Sequence, residues 1–162
     1  MDNFYLYLSD ELKNEIELEL NRLKEESNSK AVFLLDKNGQ IISNSKNTDE
    51  YDKDSLGALI AGNVAATGGL AKLLGEKEFS ILFHEGENEH IHINLIDKKF
   101  ILVVIFDEST SLGLVRLRVK KTIANLLKLI NKMKENNKSE NLEDIFSDIN
   151  EEDIEKLFKG EK

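Results

Sequence analysis

Apolar residues at Leu12, Ile16, Leu20 and Leu23 recur every three or four positions up to about Lys24, the period of a helix with one buried stripe. Ser9 can cap its start. The pattern then changes: Ala31 to Asp36 is a short run of branched and aromatic residues, and Gln40 to Ser45 follows Lys37-Asn38-Gly39. An Asn-Gly between two such runs predicts a hairpin, with both residues at the positive φ of a type I′ turn. Residues 46–54 read as a polar loop.

Residues 55–71, SLGALIAGNVAATGGLA, hold no charged residue, although a third of the chain is charged. They predict a buried or docked helix that ends at Gly75, where glycine can adopt the left-handed cap. Three more strands are expected at Phe79 to Glu85, Glu89 to Ile96 and Phe100 to Phe106, with GEN and DKK as turns. In the middle one Ile91, Ile93 and Leu95 alternate with His90, His92 and Asn94, so one face should be buried and the other wet. FILVVIF is apolar throughout and should be the central strand, covered on both faces. Ser109 or Thr110 then opens a long helix in which Leu112, Val115, Val119, Thr122, Leu126, Leu129 and Ile130 share a side, while Leu114 and Leu117 fall off it. From Glu135 to about Glu151 the composition is that of a solvated linker, broken only at Leu142, Ile145 and Phe146. A short amphipathic segment, Ile149 to Phe158, carries Ile154, Leu157 and Phe158 at helical spacing. The order is helix, two strands, helix, three strands, helix, which predicts an α/β sandwich on an antiparallel sheet.

Five of the nine glycines lie in or just after the uncharged helix, at Gly57, Gly62, Gly68, Gly69 and Gly75. Each interior one costs the helix about 0.5–1 kcal/mol relative to alanine. On a helical wheel Leu56, Leu59, Ile60, Leu70 and Leu74 cluster on one side, with Gly57, Ala58, Ala61, Gly62, Ala65, Gly68 and Gly69 over much of the opposite arc. The leucine side suits packing onto the sheet. The small side, wetted only by Ser55, Asn63, Thr67 and Lys72, suits either a protein interface or burial under another part of the same chain.

Composition removes several functions. At 162 residues and 40% hydrophobic, the chain suits one compact domain with a short appendage. It has no cysteine, so disulfides, thiolate metal sites and thiol redox chemistry are out. No apolar run approaches the roughly 20 residues that span a bilayer, and the acidic start lacks the regions of a signal peptide. A soluble, cytoplasmic protein is expected. The net charge of −9 argues against nucleic acid and anionic membranes as partners. His84, His90 and His92 invite a metal reading, but no co-ligands are placed nearby, and a solvated strand face explains them. Glu87 and Glu89 only flank a turn. No phosphate-binding loop is present, and no nucleophile, base and orienting acid converge, so no cofactor and no catalysis by the chain itself are expected.

The order of elements, with LIAGNVAATGGLAKLLGEKEF, then FILVVIFDESTSLGLVRLRVKK, and the hairpin AVFLLDKNGQIIS, resembles the Roadblock/LC7 domain. Within that family it looks most like the MglB group, which partners Ras-like GTPases of the MglA type in bacterial polarity and gliding motility. The likeness covers roughly residues 30–130 and returns in the tail at DINEEDIEKLF.

The resemblance implies a profilin-like sandwich with sheet order 2-1-5-4-3, one helix on one face and two on the other, over residues 1–134. Residues 135–162 would be an acidic flexible linker ending in a short amphipathic helix. It further implies a homodimer joined through the edge strand at Phe79, Ile81 and Phe83, with the second helices side by side. One GTP-bound GTPase would sit over Gly57, Ala58, Ala61, Gly62, Ala65, Gly68, Gly69 and Lys72. A tail segment at Ile149, Ile154, Leu157 and Phe158 would reach a separate surface of the GTPase and bias nucleotide exchange. GTPase activation would proceed without an arginine finger, in the cytoplasm and concentrated at a cell pole. The alternative is a non-catalytic Roadblock dimer that serves as a scaffold.

Overall fold

The computed structural model describes the backbone of residues 8–148 and the side chains of residues 8–135. Helix α1, Asp10–Ser27, begins where the sequence places it: the Ser9 hydroxyl accepts from the Leu12 N–H at 3.2 Å, and Asp10 and Glu11 sit at its positive end. It ends on Asn28 in the left-handed conformation (φ 53°), with the Asn28 N–H returning to Glu25 O. Leu12, Ile16, Leu20 and Leu23 are all buried.

Strands β1, Ala31–Asp36, and β2, Ile41–Asn44, form the expected hairpin, but its turn is not type I′. Only Gly39 is left-handed (φ 90°), and its N–H donates to Asp36 O at 3.1 Å. The Asp36 carboxylate accepts from the Asn38 and Gln40 N–H groups at 2.9 and 3.0 Å, which holds Asn38 out of the second left-handed position. The I′-like pair is instead Asp97 (φ 52°) and Lys98 (φ 57°), in the later turn between Ile96 and Phe100, closed by Lys99 N–H to Ile96 O at 3.1 Å.

Strands β3, Ile81–Glu85, β4, Glu89–Ile96, and β5, Phe100–Asp107, complete one sheet in the order β2-β1-β5-β4-β3, every pair antiparallel. Central β5 is flanked by β1 and β4, and Phe100 through Phe106 are buried, as a strand covered on both faces requires. Helix α2, Lys53–Leu74, covers one face, where Ile60 packs in a cluster with Phe33, Leu35, Ile93, Ile101 and Val103. Helices α1 and α3, Leu112–Asp148, cover the other over Val32, Leu34, Leu102, Val104 and Phe106. The α/β sandwich with one helix opposite two is therefore the observed architecture.

Three expectations fail on the α3 side. His90 and His92 do not face water: His92 is 1% exposed and lies opposite Val104 of β5, beneath the α1/α3 layer. Period-two alternation reports two faces, and here the second is roofed by helices rather than solvent. Burial pushes the His92 pKa down and the Arg116 charge lowers it further; neither ring nitrogen has a hydrogen-bond partner among the described residues. His90 accepts from Gly86 N–H at 3.3 Å and lies 3.2 Å from Glu108. Helix α3 is capped by Ser111, whose hydroxyl accepts from Leu114 N–H at 3.2 Å, rather than by Ser109 or Thr110. It also continues through residues 135–148, where the composition suggests a linker. No glycine or proline interrupts that stretch, and extending a formed helix avoids the cost of nucleation. Ile149, Ile154, Leu157 and Phe158 lie outside the described residues.

Helix α2 touches the β1–β2 turn backbone to backbone. A Cβ added at Gly57 would stand 2.0 Å from Gly39 O, and one added at Gly39 2.4 Å from Gly57 O. Gly57→Ala is expected to cost about 1–3 kcal/mol through overpacking, read as a lowered urea midpoint with the slope unchanged. Full wild-type stability in that variant would show that the contact can relax.

Candidate functional site

The outer side of α2 and the edge of β3 form the surface that the fold leaves unfinished. Asp52 starts α2: its carboxylate accepts from the Ser55 N–H and hydroxyl at 3.2 and 2.8 Å, and these bonds hold its pKa below the usual carboxylate value. Gly75 (φ 76°) ends it, with Glu76 N–H on Ala71 O at 2.8 Å. Between the caps only Gly57, Ile60 and Ala71 are buried, with Leu56 and Val64 partly so.

Of the side expected to hold this helix to the sheet, only Leu56 and Ile60 do so; the other leucines face outward. Leu59, Leu70, Leu73 and Leu74 are 74%, 56%, 83% and 70% exposed. Because the hairpin backbone presses on Gly57, the seam against the sheet runs through positions 57, 60, 64 and 71, and the leucines rotate outward with the small residues. Ala58, Gly62, Ala65, Gly69 and Lys72 are exposed, Ala61 and Gly68 are half-buried, and Gly57 is buried and so absent from the open face. A methyl group at Gly62, Gly68 or Gly69 would meet nothing within 4 Å. The protomer itself does not require glycine at those positions.

Leu59, Ala66, Leu70, Leu73 and Leu74 are members of the open face that the sequence assigns elsewhere or omits. A helix apolar on every side offers no polar arc from which to orient it. The one usable signal was the pair Gly39 and Gly57, each small enough for close approach. Nor is the helix short of membrane-spanning length, as the sequence reading supposed: it has 22 residues, its best window reaches a mean hydropathy of 1.3, and 17% of that window is buried. Its partly and fully buried positions, Leu56, Ile60 and Val64, are committed to the sheet, and removing them would strip the cover from Phe33, Leu35 and Val103.

Among the described residues strand β3 stands at the end of the sheet and pairs only with β4. Ile81 is 48% exposed on it. Phe79 precedes the strand and is partly exposed, while the ring of Phe83 stacks on Phe106 at 6.0 Å and belongs to the α1/α3 side. His84 turns to the α2 side and meets the Asn63 amide at 2.9 Å, which ties α2 to the edge strand. The arginines lie elsewhere. Arg22 on α1 pairs with Glu19 at 2.5 Å, and Arg116 and Arg118 are on α3, across the sheet, with Arg118 3.6 Å from Glu26. Among the described residues no three His, Asp or Glu side chains gather as a metal site would require.

The Roadblock/LC7 domain family matches the chain over residues 15–106. A comparison with curated proteins finds no match. Among solved structures, Myxococcus xanthus MglB is 48% identical with a TM-score of 0.74, over 78% of this chain and 95% of that one. The gliding protein MglB of Thermus thermophilus is 29% identical with a TM-score of 0.72, over 77% and 95%. A structure described as MglB with a tetrameric arrangement is 28% identical with a TM-score of 0.73, over 78% and 95%. The family match, the Myxococcus relative and the shared sheet order together show that this chain belongs to the Roadblock/LC7 domain family and, within it, to the MglB proteins.

Proposed function

We propose that the chain is a homodimeric regulator of a Ras-like GTPase of the MglA type, binds that GTPase in its GTP-bound state, and stimulates GTP hydrolysis in the control of cell polarity and gliding motility. One observation carries the reading: four leucines and a row of Ala and Gly are exposed on α2 beside an unpaired β3 edge. Each leucine fully buried is worth about 1.5–3 kcal/mol, so covering all four offsets a large part of the roughly 4–15 kcal/mol cost of association. Pairing β3 with its copy in a second chain satisfies the edge N–H and C=O groups and continues the sheet. It also sets two α2 helices side by side around a two-fold axis. Their small residues leave a flat surface on which a GTPase can lie close to the backbone.

Hydrolysis needs an oriented water and positive charge near the γ-phosphate. No arginine stands on the α2 side among the described residues, and Lys72 is the cation of that face. The dimer therefore acts by gripping the switch segments and selecting the conformation in which the GTPase's own groups are placed. The tail at Ile149, Ile154, Leu157 and Phe158 biases nucleotide exchange from a second surface, and the assembly works in the cytoplasm, concentrated at a cell pole. A scaffold that binds without stimulation is the second reading, favoured by the lack of any polar cluster on the α2 face beyond Ser55, Asn63, Thr67 and Lys72.

Ala65→Arg should change the unfolding free energy by no more than the roughly 0.5 kcal/mol typical of surface changes and abolish GTPase binding in calorimetry; a surviving complex would contradict the placement. Gly69→Ala should stabilise the monomeric chain by about 0.5–1 kcal/mol while weakening the complex, and equal affinity in both forms would mean that nothing packs on Gly69. With Arg116 and Arg118 both changed to alanine, stimulated phosphate release should persist. Its loss with binding intact would restore an arginine finger, and wild-type binding without any stimulation would favour the scaffold.

A further inference from the structure

Helix α3 carries a charge that the rest of the chain does not. Between Leu112 and Lys134 there are seven Lys or Arg residues and no Asp or Glu, in a chain of net charge −9. Two of the seven are spent within the protomer, Arg118 on Glu26 at 3.6 Å and Lys134 on Asp97 at 3.5 Å. Lys120, Lys121, Lys128 and Lys132 are exposed and have no ion-pair partner among the described residues. At 100° and 1.5 Å per residue they fall within an arc of about 120° and, with Leu117, along about 22 Å of helix. Leu117 is 62% exposed in the same arc. Beside its later turns α1 and α3 leave a groove of about 380 Å³, with Leu18 and Leu129 as its apolar lining and Lys128 and Lys132 on its α3 side.

We propose that this stripe docks an acidic, amphipathic helical segment of another protein, about four turns long, with carboxylates on the lysines and apolar side chains in the groove at Leu18 and Leu129. The sign of the partner follows from four cations that break no internal ion pair when they bind. Its narrowness follows from α1, which runs alongside with seven Asp or Glu among its 18 residues; Glu15 and Glu19 line the same groove. A bilayer or nucleic-acid backbone laid across both helices would set its anionic groups on those carboxylates, whereas a single helix along α3 can keep its carboxylates on the lysines and turn its apolar side toward Leu18 and the α1 carboxylates. The stripe is on the sheet face opposite α2, so the segment and a partner on α2 can be held together.

The test uses the full chain and a synthetic 16-residue helical peptide with Glu and Leu at i, i+3 and i+4 spacing, followed by fluorescence anisotropy. The expected result is saturable binding that weakens at least tenfold in Lys128→Glu/Lys132→Glu and falls with added salt. Ala65→Arg on the α2 face should leave it unchanged. Circular dichroism of the lysine variant confirms that it is folded, and Lys128→Arg/Lys132→Arg should retain binding. Four results would overturn the proposal: equal binding of a peptide with Gln for Glu, no effect of the lysine changes, tighter binding of a peptide of residues 149–162, or lysine-dependent binding of phosphatidylglycerol vesicles in its place.

Discussion

Seven consecutive apolar residues on β5, Phe100 to Phe106, must be kept from water on both faces of a single sheet, and the rest of the molecule is arranged around that demand. Two helices, α1 and α3, meet it on one side and pack against each other as well as on the sheet. On the other side α2 meets it alone. A single helix covers a sheet face incompletely, and among the described residues nothing packs on the outer surface of α2. The asymmetry of one helix against two is thus what creates an open surface, and it creates it on the α2 side.

How α2 lies on the sheet decides what that surface is made of. The contact between Gly57 and Gly39 brings two backbones together and fixes the rotation of the helix. With Gly57, Ile60 and Ala71 turned inward, the leucines at 59, 70, 73 and 74 have to turn outward. Exposed apolar patches of that extent mark contact sites in soluble proteins, and the adjoining β3 edge offers unpaired backbone groups that a second strand can satisfy. The residue pair that packs α2 on the sheet therefore also decides which side chains its open face presents.

Much of this was legible in the sequence where local chemistry and tertiary environment agree. The stripe of Leu12, Ile16, Leu20 and Leu23, the Ser9 cap and the unbroken run on β5 each admit one reading, and the structure realises it. The failures fall where a local pattern has two solutions. Asn38-Gly39 could make a type I′ turn, but the Asp36 carboxylate captures the intervening N–H groups first. His90 and His92 alternate with isoleucines as solvent-facing residues would, yet α3 roofs them. A stretch rich in Asn and Glu reads equally as linker or as solvated helix, and residues 135–148 are helical. For the candidate site the helix was found but its orientation was not, because a segment without charges has no polar face to point at water.

The account rests on the open side of α2 being covered in the working assembly, and hydrogen–deuterium exchange on the full chain measures that directly. With a GTP-loaded GTPase of the MglA type added, amides of residues 58–73 should exchange more slowly than in the free protein, while those of α1 stay unchanged. Exchange in α2 that is indifferent to the GTP-loaded partner, at concentrations where the two proteins are bound, would contradict it.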